Sequence, residues 1–276
     1  MLKKWILVCF VLIILILLFI FGINKKQADW NKNTLLPYEE LLADAYNYYN
    51  VKTPKDIIIK SSSNIEKNAT MKDYHYRGLA YSIIDENEKA VEDFNKAIAI
   101  NPKDATIYKD KCNSLTSLER YDEAIENCNK AISIDPNYPN AYNGLGLAVE
   151  YKSGDYKKSI EYFNKAIDIN PNLWILYNNR GNAKDRLGMH KEAIIDFTEA
   201  LKLNNKGFSI YSNRALSYYY IEKYNEALED YNMAIKLNKK NSIVYYNRGL
   251  CKEAMGDIKG AYKDYEKAKK LNQNMK

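Results

Sequence analysis

The sequence predicts an all-α protein, a solenoid of stacked helical hairpins preceded by a single transmembrane helix. Three observations carry this. Six small residues, Gly78, Cys112, Gly146, Gly181, Ala215 and Gly249, recur at separations of 34, 34, 35, 34 and 34 residues. A second series, Ala97, Ala131, Ala166, Ala200, Ala234 and Ala268, runs in phase with the first. Two independent series with one period mean one supersecondary unit copied six times, and a period in this range marks a helical repeat array. The third observation is residues 5–23, 19 residues without a charge and nearly all Ile, Leu, Val and Phe.

Residues 1–4 form a short basic amino terminus with Lys3 and Lys4. At about 1.5 Å per residue, the apolar run that follows reaches roughly 28 Å, enough for a hydrocarbon core of about 30 Å. A cleaved signal peptide would have a shorter apolar region ending in small residues. Here Gly22 follows Ile20 and Phe21, and Ala28 follows Lys26 and Gln27, so an uncleaved membrane anchor is expected. The competing reading is a secreted chain with its mature amino terminus near Asn24. Lys25 and Lys26 open a linker, residues 24–36, and balance Lys3 and Lys4 in the positive-inside count. The short leading segment places itself in the cytoplasm and the repeats outside it. Abundant Lys, Asn, Ile and Tyr fit an AT-rich bacterial genome, and so an inner membrane.

Residues 37–70 lack both series, yet Pro37 to Asn50 and Pro54 to Asn68 each read as a helix, together a cap or a degenerate repeat. The six units proper are 71–104, 105–138, 139–173, 174–207, 208–241 and 242–275. Each has two apolar patterns at helical spacing separated by a short break. Gly154, Gly188 and Gly256 stand where the first helix ends, and Pro102, Pro136 and Pro171 follow the second. Asn205, Lys239 and Gln273 take the proline's place later, which predicts less sharply ended junctions. One extra residue between Gly146 and Ser159 predicts a longer first helix or turn in repeat three.

Repeat one reads Tyr74, Gly78 and Tyr81, then Ala90, Phe94 and Ala97, then Pro102; repeat four reads Tyr177, Gly181, Ala193, Phe197 and Ala200. This pattern closely resembles the tetratricopeptide (TPR) repeat, over about three quarters of the chain. The resemblance implies a right-handed solenoid that binds a protein or peptide. Small residues let two antiparallel helices approach, and the large ones fill the space beside them.

Arg77 and Asp93, Arg180 and Asp196, Arg214 and Asp230, and Arg248 and Asp264 occupy matching places on the two helices. Repeat two has Lys111 and Asn127 there, and repeat three Leu145 and Tyr162. Joint gain and loss predicts contact, read here as exposed pairs contributing roughly 0–1 kcal/mol each. Cys112 and Cys128 face one another across the hairpin of repeat two; they are read as buried packing residues, with a disulfide as the alternative. Position 28 is apolar in five copies, Ile98, Ile132, Ile167, Leu201 and Ile235, and becomes Lys269 in the sixth, where a terminal repeat needs a polar outer face.

Chemistry is sparse. His75 and His190, the chain's two histidines, have no paired ligand spacing, so no metal, no cofactor and no catalytic residue are expected, and the protein is read as a non-enzyme. The net charge of +6 gives no concentrated basic stripe, which argues against nucleic acid.

In the family that the pattern resembles, the first helices line a concave groove through positions 2, 5, 6, 9, 12 and 13. That implies partner contacts from Asn178, Asn179, Asn182, Asn213 and Asn247, because a row of amides both donates to and accepts from a peptide backbone. Lys109 and Asn113 match part of a clamp for carboxyl-terminal carboxylates, but Gly144, Ile175 and Asn179 stand where its other groups belong. Arg186 adds a groove cation. Groove charges nearly cancel, with Lys72, Lys109 and Arg186 against Asp110, Glu150, Asp185 and Glu253. The expected function is therefore protein–protein interaction beside a membrane; the alternative is a self-associating scaffold that grips no peptide.

Overall fold

A computed structural model describes residues 38–273, and fourteen helices account for nearly all of them. The expected membrane segment, 5–23, and the linker, 24–36, lie outside the described residues. No helix among those described is long and apolar enough to cross a membrane.

The helices run in pairs. Helices α1 (Tyr38–Tyr49) and α2 (Pro54–Asn68) precede α3 (Met71–Ile83) and α4 (Asn87–Ile100) of repeat one. Repeat two holds α5 (Ala105–Ser117) and α6 (Tyr121–Ile134); repeat three holds α7 (Pro139–Ser153) and α8 (Tyr156–Ile169). Then come α9 (Trp174–Arg186) with α10 (His190–Leu203), α11 (Phe208–Tyr220) with α12 (Tyr224–Leu237), and α13 (Ser242–Ala254) with α14 (Ile258–Gln273). The extra residue of repeat three lengthens its first helix, α7, to 15 residues against 13 for α5 and α9.

Within each hairpin one contact repeats. The position-24 ring packs against the position-8 glycine, so a Cβ built on Gly78, Gly146 or Gly181 would fall 2.7, 2.6 or 2.7 Å from Phe94, Phe163 or Phe197. Tyr265 lies over Gly249 in the same way. In repeat two both partners change together, and Cys112 and Cys128 are joined by a disulfide with Cα atoms 5.5 Å apart. The reading of these cysteines as mere packing residues is thereby corrected. A glycine and a ring have been exchanged for two short side chains that meet in the same space.

Between hairpins, position 28 of each repeat packs with position 3 of the next: Ile98 with Ile107, Ile167 with Leu176, Leu201 with Ile210, and Ile235 with Val244 share core clusters. First helices of successive repeats also touch directly, whereas second helices approach each other less. The first-helix layer is therefore the inner one.

The Arg–Asp pairs are stronger than exposed pairs. Each arginine binds its aspartate through Nε and Nη2, as Arg214 does to Asp230 at 2.7 and 2.8 Å, and the aspartate side chains are at most 7% exposed. Tyrosines three residues earlier flank the guanidinium at 5.5–5.9 Å. The free Nη1 reaches back to the preceding hairpin, to Asn164, Thr198 and Asn232 from Arg180, Arg214 and Arg248. Arg77 makes the same reach to Ser62 of α2. α2 thus plays the second helix of a repeat before the first, and Leu42, Ala45 and Ile57 share the core of Phe94.

The junctions at Asn205 and Lys239 end in the same turn as those with proline, contrary to expectation, while the one at Gln273 lies at the edge of the described residues. A side chain at the helix end, Asn101, Asp135, Asn170, Asn204 or Asn238, accepts from the backbone N–H two residues on at 3.0–3.2 Å. This Asx turn ends the helix by itself.

Candidate functional site

The inner layer carries a polar row built on one rule: position 6 of a repeat bonds to position 5 of the repeat before. Asn179 Nδ2 donates to Asn143 Oδ1 at 2.9 Å. Asn213 Nδ2 donates to Asn178 Oδ1 at 3.2 Å and to Asn182 Oδ1 at 2.9 Å. The pair His75 and Asp110 repeats the geometry between repeats one and two, with Nε2 and Oδ2 2.7 Å apart. Asn178, Asn179 and Asn213 are thus brought together as expected, but at 1, 1 and 4% exposure they are tied to neighbouring helices. Their amides set the spacing between first helices. Asn182 is half-buried, as are Asn113 and Asn247.

Asn213 Oδ1 is buried without a partner, because both donor hydrogens of that amide are spent and its acceptor faces none. Asn143 was not picked out from sequence, and His75 and Asp110 were read only as a histidine without ligand spacing and as a groove charge, not as a pair. Position 5 holds chemically different residues in each copy, so the row shows only when positions 5 and 6 of adjacent repeats are read as a pair.

Lys109 is buried at 5% exposure, its ammonium bound to the Asp110 carboxylate beside it. Burial pulls the ammonium toward neutrality, but Asp110 and Tyr138 outweigh it and the net shift is upward. Burial likewise pushes Asp110 up, and Lys109 and His75 draw it below the usual carboxylate range. Lys109 is therefore neutralised within the protein and is no free clamp for a partner's carboxylate.

Arg186 is exposed and faces Glu150 of the preceding first helix. Burial pushes the Glu150 carboxyl up to about 7 against the pull of that guanidinium. Farther along, Asp185 accepts from Ser217 of the next repeat at 2.9 Å and meets His190 Nδ1 at 2.6 Å. The His190 ring stacks on Tyr220, centroids 4.7 Å apart. Tyr220 and Ile243, on the first helices of repeats five and six, remain 54 and 38% exposed. Among the described residues no cluster of three His, Cys, Asp or Glu side chains is placed to hold a metal. Cys251 is a free, buried thiol pushed up to about 11 by burial.

Sequence comparison places repeat models across this layer. Tetratricopeptide repeat models match residues 208–241 and 242–275, and 74–104 and 176–206; a TPR repeat model matches 113–150 and 149–188. The chain is a tetratricopeptide-repeat protein. None of the curated proteins compared matches it.

Solved structures agree on the fold of this TPR chain. A chain of the APC/C hetero-tetramer Cut9–Hcn1 superposes with a TM-score of 0.72 at 17% identity, over 80% of this chain and 44% of that one. This TPR chain therefore spans less than half of that relative's length. PilF of Pseudomonas aeruginosa gives 0.64 at 20% identity, over 73% of this chain and 91% of its own. YrrB, described as a TPR protein with an unusual peptide-binding site, gives 0.53 at 23% identity, over 64 and 91%. At such identities the likeness establishes the fold alone.

Proposed function

We propose that the inner face of repeats four to six binds a partner protein or an extended peptide, and that residues 5–23 hold the array at a membrane with the repeats outside the cytoplasm. The reading assigns the chain no catalytic step and no cofactor. It rests on one observation: after the amides of Asn178, Asn179 and Asn213 are spent on neighbouring helices, the same face still presents Tyr220 and Ile243 exposed. Half-buried Asn182 and Asn247 and the exposed Arg186 lie on the same layer. Apolar area with hydrogen-bonding groups beside it is what a peptide groove requires. TPR proteins mediate protein–protein interactions, and the peptide-binding site described for YrrB fits the same use of the fold. A disulfide suits an oxidising compartment, in line with repeats outside the cytoplasm.

Arg186→Ala combined with Tyr220→Ala and Asn247→Ala leaves the buried row intact. That variant is expected to keep its helicity and to lose at least about tenfold in capture of the partner recovered by crosslinking in membranes. Undiminished capture by the folded variant refutes the assigned face.

A further inference from the structure

Repeat two alone among the six lacks both cross-hairpin devices. It has no ring over a glycine, because Cys112 and Cys128 occupy those places. It has no Arg–Asp bridge, because Lys111 and Asn127 stand there, and the Asn127 amide donates to Glu123 O of its own helix at 2.8 Å. Repeat three lacks the Arg–Asp bridge as well but keeps the ring of Phe163 over Gly146. Repeats one, four and six keep both devices, and repeat five keeps them with Ala215 under Tyr231.

The neighbouring hairpin is fitted to the bridge. Position 6 of repeat three is Gly144 where repeats four to six have Asn179, Asn213 and Asn247. A Cβ built on Gly144 would fall 2.8 Å from Cys128 Sγ, 3.1 Å from Asn113 Oδ1 and 3.6 Å from Cys112 Sγ. Any larger side chain therefore collides with the bridged cysteines, and the position-6 to position-5 hydrogen bond is missing at this junction. The junction is held instead by apolar packing, with Leu145 and Ala148 against the core that contains the bridge, and by an exposed ion pair between Lys152 and Asp122.

We propose that the Cys112–Cys128 disulfide is a redox-controlled staple: oxidised, it holds repeat two as the link between repeats one and three, and reduced, it lets that link open. In a solenoid each hairpin is stabilised by its own contacts and by its two neighbours, so loss of one internal staple loosens one unit and uncouples the units on either side. The reductant is a dithiol. It delivers two electrons and two protons, the S–S bond becomes two cysteine thiols, and the reductant closes to its own disulfide. Both sulfurs are buried, so attack follows a transient opening of repeat two. The expected consequence is that the inner face is continuous from α3 to α13 only in the oxidised chain. The inference is independent of the partner-binding reading.

The full-length chain is compared with and without excess dithiol, following amide hydrogen exchange by mass and counting thiols by alkylation. Exchange within 105–138 is expected to rise at least about tenfold on reduction while 174–275 is unchanged. A bridge that stays oxidised, equal exchange in both samples, or a uniform rise along the array overturns the proposal. A second variant restores the sister design: Lys111→Arg and Asn127→Asp with Cys112→Gly and Cys128→Phe. Its exchange within 105–138 is expected to match the oxidised chain and to ignore the dithiol; dithiol sensitivity in that variant also overturns it.

Discussion

Tyr231 occupies the place that Phe94, Phe163 and Phe197 hold in repeats one, three and four, and its hydroxyl is buried without a partner. In repeat six the equivalent hydroxyl, on Tyr265, donates to Glu253 at 2.5 Å. Repeat five has Tyr219 where repeat six has Glu253, so no acceptor reaches Tyr231. An unsatisfied buried hydroxyl costs about 1–3 kcal/mol, and replacing it by hydrogen removes that cost without opening a cavity. Tyr231→Phe is therefore expected to stabilise the protein by about 1 kcal/mol in urea unfolding, while Tyr265→Phe destabilises it; a lower midpoint for Tyr231→Phe contradicts the argument. The same scale shows where sequence reading stops. The asparagines of repeats four and five were legible as a row on one face. Their pairing was not, because an amide's partner is chosen by a side chain some 30 residues away on another helix. Lys109 shows a different limit: Asp110 stands next to it in the sequence, but only the burial of both side chains against each other shows the lysine's charge already taken.

Among the elements, the break between the two helices of a hairpin needs one residue with positive φ. Three repeats supply Gly154, Gly188 and Gly256. The other three place Asp85, Glu119 and Glu222 there, with φ of 69, 60 and 62°. A side chain in the left-handed region costs about 1–2 kcal/mol relative to glycine, less what glycine loses by its freedom in the unfolded chain. Glu222→Gly is thus expected to raise stability by about 1 kcal/mol. Gly188→Ala, where an added Cβ meets nothing within 4 Å, is expected to lower it by a similar amount through the backbone alone. Equal melting temperatures for wild type and both variants would show that the turn relaxes to absorb the strain. Glycine and proline were visible as breaks in the sequence; the acidic residues in the same turns and the Asx turns after the second helices were not. Each is a common surface residue whose local hydrogen bond or strained backbone leaves no compositional mark.

Across the whole array, stability comes from a face each repeat offers to the next, and this was legible because periodicity reports it directly. Position 28 is apolar in each of the five repeats that another described repeat follows, and is Lys269, exposed, in repeat six. Repeat five depends on repeat six to cover Ile235, which packs in the same cluster as Val244. A chain ended after Asn241 removes that cover and leaves the apolar side of α12 in water. The shortened chain is expected to unfold at lower temperature and to associate with rising concentration in sedimentation velocity, because uncovered apolar faces of identical chains find each other. Adding Ile235→Lys to the shortened chain gives its last repeat the polar position 28 of repeat six and is expected to restore a monomer. Its melting temperature should remain below that of the six-repeat chain, since one interface is still missing. A shortened chain that stays monomeric without the lysine would mean that repeat five closes its own face, and that the array is a row of independent hairpins rather than a cooperative stack.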